Sequence, residues 1–196
     1  MSERDEIPLI KTRRLMLTLP PVSAAQRMVS YVTENREHHA QWSPLVPKEY
    51  FTEKYWRERL RTAREEFKRR ESLRLVFFRR NQKDGRVLGT CNFTNFIRGP
   101  FQACYLGYML DKEAVGRGLM HEALTAAIRY VFDELRLHRI MANYMPRNER
   151  SGRVLRRLGF SVEGYARDYL LIAGRWEDHI LTALTNTKLK PDEVRS

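Results

Sequence analysis

The stretch from Tyr105 to Phe160 leaves few folds open to this chain. A strand rich in Tyr and Leu, Ala103–Leu110, gives way to a short loop, and Gly116-Arg117-Gly118 leads into a helix predicted over Gly118–Leu135. Met120, Leu124, Ala127, Ile128, Val131 and Leu135 form one apolar stripe along that helix. A second strand, Arg139–Tyr144, is stopped by Pro146. A short helix over Asn148–Leu158 follows, with Asn148 as N-cap, Gly159 at C′ and Phe160 behind it. Glycines let the backbone turn sharply and come close to a ligand. The amides of a first helical turn lack partners and sit at the positive end of the helix dipole. Loop and helix start therefore form an anion cradle suited to a pyrophosphate. No Gly-Lys-Ser/Thr follows, which excludes a Walker A loop, and Glu122 or a neighbour stands where a dinucleotide fingerprint has its third glycine.

The rest of the chain frames this unit with antiparallel elements. Leu15–Leu19 reads as a strand stopped by Pro20-Pro21, Ser23 as the cap of a helix through Thr33, and Asn35 to Pro47 as a structured loop. A long helix spans about Thr52–Arg70, with Tyr55, Trp56, Leu60, Ala63 and Phe67 at three- to four-residue steps. Leu73–Phe78 and Val87–Phe96 pair through a turn at Asn81–Gly85, where Asp-Gly supplies the positive φ. Two final strands, Glu163–Ile172 and Trp176–Leu184, flank Ala173-Gly174-Arg175. The class is α/β, with an α+β-like mixed sheet that is antiparallel in its first half.

At 196 residues the chain has room for one domain with a sizeable core, and 42% apolar with 31% charged residues excludes an integral membrane protein and a disordered chain. The charged N-terminus lacks the apolar stretch of a secretory signal, so a cytoplasmic location is expected. Cys91 and Cys104 read as buried core thiols, and no Cys/His cluster has zinc spacing, since the adjacent His38-His39 cannot close a site alone. The net charge of +12 is carried mostly by arginine, 28 Arg against 8 Lys. It suits an acidic partner such as nucleic acid, a ribosome or a phosphorylated cofactor, or is only the surface of a basic enzyme.

Strand, Gly-x-Gly, long helix, strand, Asn-x-x-Ser, helix, Leu-Gly-Phe is an order that resembles the GNAT-type acetyltransferases. Leu106-Gly107-Tyr108, Gly116–Met120, Glu122–Tyr130 and His138–Pro146 are similar to the RimJ branch, the ribosomal-protein-S5 alanine N-acetyltransferases, close to RimL-type enzymes. Asn92–Asn95, Glu163–Ala166 and Asp168–Ile172 agree with that. The resemblance covers residues 11–187, as one domain between flexible termini 1–10 and 188–196. It implies the acyl-CoA N-acyltransferase fold, a mostly antiparallel sheet with a V-shaped split between the fourth and fifth strands, counting Leu15–Leu19 as the first.

It further implies acetyl-CoA as co-substrate, no metal and no membrane, with a protein N-terminus, that of ribosomal protein S5, as acceptor. The pyrophosphate would lie on the amides of Val115, Gly116, Arg117, Gly118, Leu119 and Met120, and the pantetheine in the split. A strand amide near Tyr108, Met109 and Leu110 would hold the oxyanion, and Asn148 and Ser151 would place a hydroxyl near the CoA sulfur. Tyr105, where RimL-type relatives carry Glu, would bind substrate or order a water, or else pack in the strand. Trp42 reads as a wall of the peptide groove or a buried anchor. Asp168 and Glu177 read as attractors of an ammonium or as surface charge, and His138 as structural. Glu113 departs from the family loop, which begins with Gln or Arg, and leaves Arg117 and Lys112 as the charged neighbours of the phosphates. The basic segments Arg57–Arg80 and Arg147–Arg157 imply ribosome or pre-ribosomal association. Acetylation of another N-terminus or a small amine, and a ribosome- or RNA-associated factor without this chemistry, are the competing readings.

Overall fold

A computed structural model describes residues 7–82 and 85–191. Its strands are β1 (Leu9–Lys11), β2 (Leu15–Thr18), β3 (Leu73–Arg79), β4 (Gly89–Ile97), β5 (Ala103–Leu110), β6 (Arg139–Met141), β7 (Ser161–Ile172) and β8 (Arg175–Thr185). The helices are α1 (Ala25–Glu34), α2 (Arg36–Ala40), α3 (Glu53–Lys68), α4 (Leu119–Asp133) and α5 (Glu149–Arg157). One sheet runs β1-β2-β3-β4-β5-β6-β8-β7. Every neighbouring pair is antiparallel except β5–β6.

Alternation along the strands sorts two cores onto two faces. Leu15, Leu17, Leu73, Leu75 and Phe77 pack with Leu119, Ala123, Leu124 and Ala127 of α4. Met16, Val76 and Phe78 point the other way, onto Met28, Tyr31 and Val32 of α1 and Leu60 of α3. Each large apolar side chain buried this way contributes about 1.5–3 kcal/mol relative to exposure. Gly89 is fixed by packing, because a Cβ there would lie 2.3 Å from Phe77 Cζ and 2.5 Å from the Met109 carbonyl oxygen.

β5 and β6 pair only over Ala103–Arg139, Cys104–Ile140 and Tyr105–Met141. Beyond that the chain after β6 loses β5 and stays beside β8 in unchanged register, through Ala142 N to Thr182 O at 3.0 Å and a bridge between Tyr144 and Ile180. The sheet therefore splits between the two strands expected to diverge. They are the fifth and sixth in chain order, because Leu9–Lys11 adds an edge strand where only a loose terminus was expected.

Other expectations need correction. Ser23 caps nothing: it lies in a 3₁₀ turn, Val22–Ala24, that runs directly into α1, whose N-cap is Ala24 without a side-chain bond. The stretch expected as loop after Asn35 opens with α2. Arg139–Tyr144 is regular strand only to Met141, because it loses β5 there and keeps β8 alone, through an isolated bridge at Tyr144. The hairpin turn at Asn81–Gly85 includes Lys83 and Asp84, which lie outside the described residues. Thr52 does cap α3, its hydroxyl accepting from Tyr55 N at 3.3 Å.

Candidate active site

Where β5 and β6 part, a cavity of about 900 Å³ opens through the sheet. Leu106–Leu110 form one wall, Asn143–Met145 the opposite one, and Val115, Gly116 and Gly118–His121 the floor of one end. Gly116 and Gly118 have φ of 81° and 69°, the left-handed region that favours glycine. A Cβ at Gly116 would meet nothing within 4 Å, so the loop backbone faces open space. The first main-chain bond of α4 runs from Glu122 N to Gly118 O at 3.1 Å, which leaves the amides of Leu119, Met120 and His121 for a ligand. This cradle fits a pyrophosphate.

A clamp from the turn between β1 and β2 holds the cradle. Arg14 donates from Nη1 to the Arg117 carbonyl at 2.9 Å and from Nε to Glu122 at 2.6 Å. The Thr12 hydroxyl and the Arg14 amide also donate to Glu122, at 2.6 and 2.8 Å. Burial raises the pKa of the Glu122 carboxyl, but these donors outweigh it and hold the group below its usual range.

On the α4–α5 face, Asn148 caps α5 by accepting from Ser151 N at 3.2 Å. The Ser151 hydroxyl lies 2.7 Å from that of Tyr108 on β5. Burial pushes the Tyr108 phenol up to about 12, against the lowering effect of Ser151. Both groups are therefore neutral proton carriers near pH 7. Gly159 (φ 88°) and the bonds Gly159 N to Arg156 O and Phe160 N to Leu155 O end α5 as its sequence predicts.

The opposite face is walled by α2, the chain after it and the β7–β8 hairpin. His39 donates from Nε2 to the Leu110 carbonyl at 2.9 Å, and burial lowers its pKa. Trp42 lines the cavity with the Arg147 guanidinium 5.8 Å from its ring. His179 lines it from β8, against Tyr169 of β7, whose hydroxyl accepts from Asn143 Nδ2 at 3.0 Å.

Of the residues singled out in the sequence, Tyr108, Met109, Leu110, Val115, Gly116, Gly118, Leu119, Met120, Asn148 and Ser151 meet around this one cavity. Arg117 is not among its lining residues; its side chain is exposed and its carbonyl belongs to the Arg14 clamp. Lys112 is exposed, and Glu113 pairs with Arg86 at 2.8 Å. The positive lining comes instead from Arg150, Arg153 and Arg157 on α5, together with Arg147. Tyr105 lies outside the lining, its hydroxyl turned to Tyr169. Glu177 is paired with Arg147, and the amide of Asp168 donates to Asp178 at 2.9 Å. His138 is structural, with main-chain bonds to Gln102 and Asn186. Arg14, the Tyr108 hydroxyl and His179 were not legible as site groups, because each depends on a strand far away in sequence.

Comparison with known proteins points the same way. Residues 14–161 match the acetyltransferase (GNAT) domain family. The chain is 44% identical over 190 residues to the [ribosomal protein uS5]-alanine N-acetyltransferase of Escherichia coli, covering 96% of this chain and 97% of that one. Among solved structures, the ribosomal-protein-S5-alanine acetyltransferase of Vibrio fischeri superposes with a TM-score of 0.89 at 38% identity, covering 94% of this chain and 100% of that one. Mycobacterium smegmatis RimJ in complex with CoA-disulfide superposes with a TM-score of 0.83 at 25% identity, covering 93% and 88%. The fold is thus shared with enzymes named for transferring acetyl groups, and this chain belongs to the GNAT family of N-acetyltransferases.

Proposed function

We propose that the protein is an acetyl-CoA-dependent Nα-acetyltransferase whose acceptor is the N-terminal alanine of ribosomal protein S5. The observation that carries the acceptor is the 44% identity to the E. coli enzyme over 96% of this chain. In this reading the amides of Val115–Met120 hold the pyrophosphate, and Arg150, Arg153 and Arg157 add positive charge. The edge of β5 beyond Tyr105, freed where β6 leaves, offers amides to the oxyanion. The Ser151–Tyr108 pair returns a proton to the departing sulfur, and Asn148 fixes the helix turn that carries Ser151.

The acceptor chemistry agrees. An α-amine has a pKa near 8 and lysine one near 10.4, so presenting a neutral lysine costs about 3 kcal/mol more. A site without a buried carboxylate aimed at the amine suits the α-amine. A ribosomal substrate supports a cytoplasmic location in this reading, and among the described residues no helix is long and apolar enough to cross a membrane.

Ribosome or pre-ribosomal association rests on the net charge of +12. On α3 much of that charge is matched locally, by Arg57–Glu53, Arg61–Glu58 and Lys68–Glu65. Arg64 is occupied with the carbonyls of Leu19 and Pro20. Co-sedimentation that weakens steeply with salt, and with charge reversal at Arg61 and Lys68, supports association; indifference to both leaves the charge to solubility. The function is tested by incubating the protein and acetyl-CoA with an S5 N-terminal peptide, polyamines and aminoglycosides. Mass spectrometry should find one acetyl group on the peptide's α-amine, and turnover confined to the small amines would overturn the reading.

A further inference from the structure

Across the sheet from Ser151, His179 has one ring nitrogen fixed and the other left for the cavity. Its Nδ1 lies 2.9 Å from the Glu177 carbonyl oxygen. A carbonyl only accepts, so Nδ1 carries the proton and the neutral ring offers Nε2 as a lone pair. The residue is 4% exposed and lines the cavity. Two strands and the segment after β6 hold the ring: it stands on β8, Tyr169 of β7 packs on it at 5.4 Å between centroids, and Asn143 ties Tyr169 in place. Leu184 packs into the core beneath α4 and α5, so alternation along β8 turns His179 to the opposite face, away from Ser151.

We propose that Nε2 of His179 is the general base that takes the proton from the acceptor amine, directly or through one water; this deepens the acetyltransferase reading and rests on it. As the amine nitrogen bonds to the acetyl carbonyl carbon, one N–H proton passes to Nε2. The C–S bond then breaks and the sulfur takes a proton from the Ser151–Tyr108 pair on the other face. The imidazolium and the pair exchange protons with solvent, so amine and thioester become amide and thiol with atoms and charge balanced. A base of imidazole strength matches an α-amine better than a lysine. His39 is the other cavity histidine with a fixed ring, but it is engaged through Nε2. That leaves only the nitrogen beside its own main chain, between the rings of Tyr31 and His38. The charged and titratable groups around His179 are Glu177 and Asp178 on β8, Arg147 bound to Glu177, Tyr169 with Tyr105 behind it, Tyr144 after β6, and His38 across the cavity.

The test compares the wild type with His179→Asn and His179→Gln, on whichever amine the wild type acetylates fastest, an Ala-start peptide being tried first. Asn keeps a donor for the Glu177 carbonyl and cannot act as a base. We expect kcat/KM to fall by about 100-fold or more, and the acid-side limb of its pH profile to become shallower by one proton, leaving the part set by the acceptor's own ammonium. Acetyl-CoA affinity should stay within about twofold, as an intact fold requires. An aminooxy acceptor, whose far less basic nitrogen gives its proton up to water once it is bonded to the carbonyl carbon, should recover most of the lost rate. Rates within about threefold of wild type in either variant that binds acetyl-CoA, or an acid limb of unchanged steepness, overturn the assignment. If the peptide is inert while another amine reacts, the acceptor reading fails and His179 is still judged on that amine.

Discussion

Removing the Ser151 hydroxyl probes how the departing sulfur is protonated. Its oxygen lies 2.7 Å from the Tyr108 hydroxyl, and burial keeps that phenol neutral, pushed up to about 12. In the resting site the pair is one neutral hydrogen bond, worth about 1 kcal/mol net, whereas a bond to a charged group is worth roughly 1.5–3 kcal/mol. Charge on sulfur develops only as the C–S bond breaks, so the larger value is felt in the transition state alone. At about 1.4 kcal/mol per factor of ten, Ser151→Ala should lower kcat by about 10- to 100-fold and leave acetyl-CoA affinity nearly intact. Tyr108→Phe should fall in the same range. The double variant should be little worse than the poorer single one, because two groups that relay one proton act as a unit. Steady-state kinetics with acetyl-CoA titrated by calorimetry gives both quantities. An unchanged kcat in Ser151→Ala, or losses that multiply in the double variant, would refute the relay and hand protonation of the sulfur to water.

Three further outcomes follow from the geometry. Gly118→Asp places a side chain and a negative charge in the cradle at a φ of 69° and should abolish acetyl-CoA binding by calorimetry; wild-type affinity would remove the loop from the cofactor site. Gly89→Ala drives a methyl into Phe77 and the Met109 carbonyl and should cost about 1–3 kcal/mol in chemical denaturation, more if β5 cannot shift; a silent substitution would mean that the β4–β5 contact is looser than the distances state. Burial raises the pKa of Glu66, but hydrogen bonds from Arg74, Ser72 and Arg59 outweigh it and bring it to about 2. The folded value is thus depressed, so its stabilisation is present above the ordinary value of 4.5 and lost as pH falls toward 2. Glu66→Gln should remove roughly 1–2 kcal/mol at neutral pH, allowing for solvent screening, and flatten the acid limb of stability; an unaltered limb would place the acid sensitivity elsewhere.

What the sequence discloses here is what local rules determine. Ala103–Leu110 has the observed strand bounds, and α4 shows its buried face through a stripe at helical spacing. Asn148 and Gly159 mark both ends of α5 because a cap and a left-handed stop are local chemistry. β1 escapes notice, since three residues with only the middle one partly buried carry no period. So does α2, a single polar turn, which the buried side chain of Asn35 ties at its base to the turn after β5, through Asp111 at 3.1 Å and the Lys112 amide at 2.8 Å. β7 is exposed along most of its length, with two register shifts, so its pattern fixes little. The site divides the same way. The glycine loop and Asn148–Ser151 are contiguous motifs, whereas Tyr108 meets Ser151 across 43 residues and Arg14 meets Glu122 across 108. Charged side chains near the glycines mislead for a related reason. Lys112 and Arg117 are close in sequence, yet the loop turns both outward and α5 delivers the cations that face the cavity.

The divergence of β5 and β6 gives one sheet two doorways. In the proposed reading a nucleotide-bearing thioester would lie beside α4 and α5 and an amine would arrive past Trp42 and the β7–β8 hairpin, so neither would block the other's path. Cys91 and Cys104 are buried thiols, the latter pushed up to about 12, and give an acyl group no nucleophile on which to rest. In the proposed reading the acetyl group would pass directly from sulfur to amine, within a complex of all three components. Initial-rate plots should intersect rather than run parallel, and spent CoA can be exchanged for a fresh molecule without the polypeptide having to leave first.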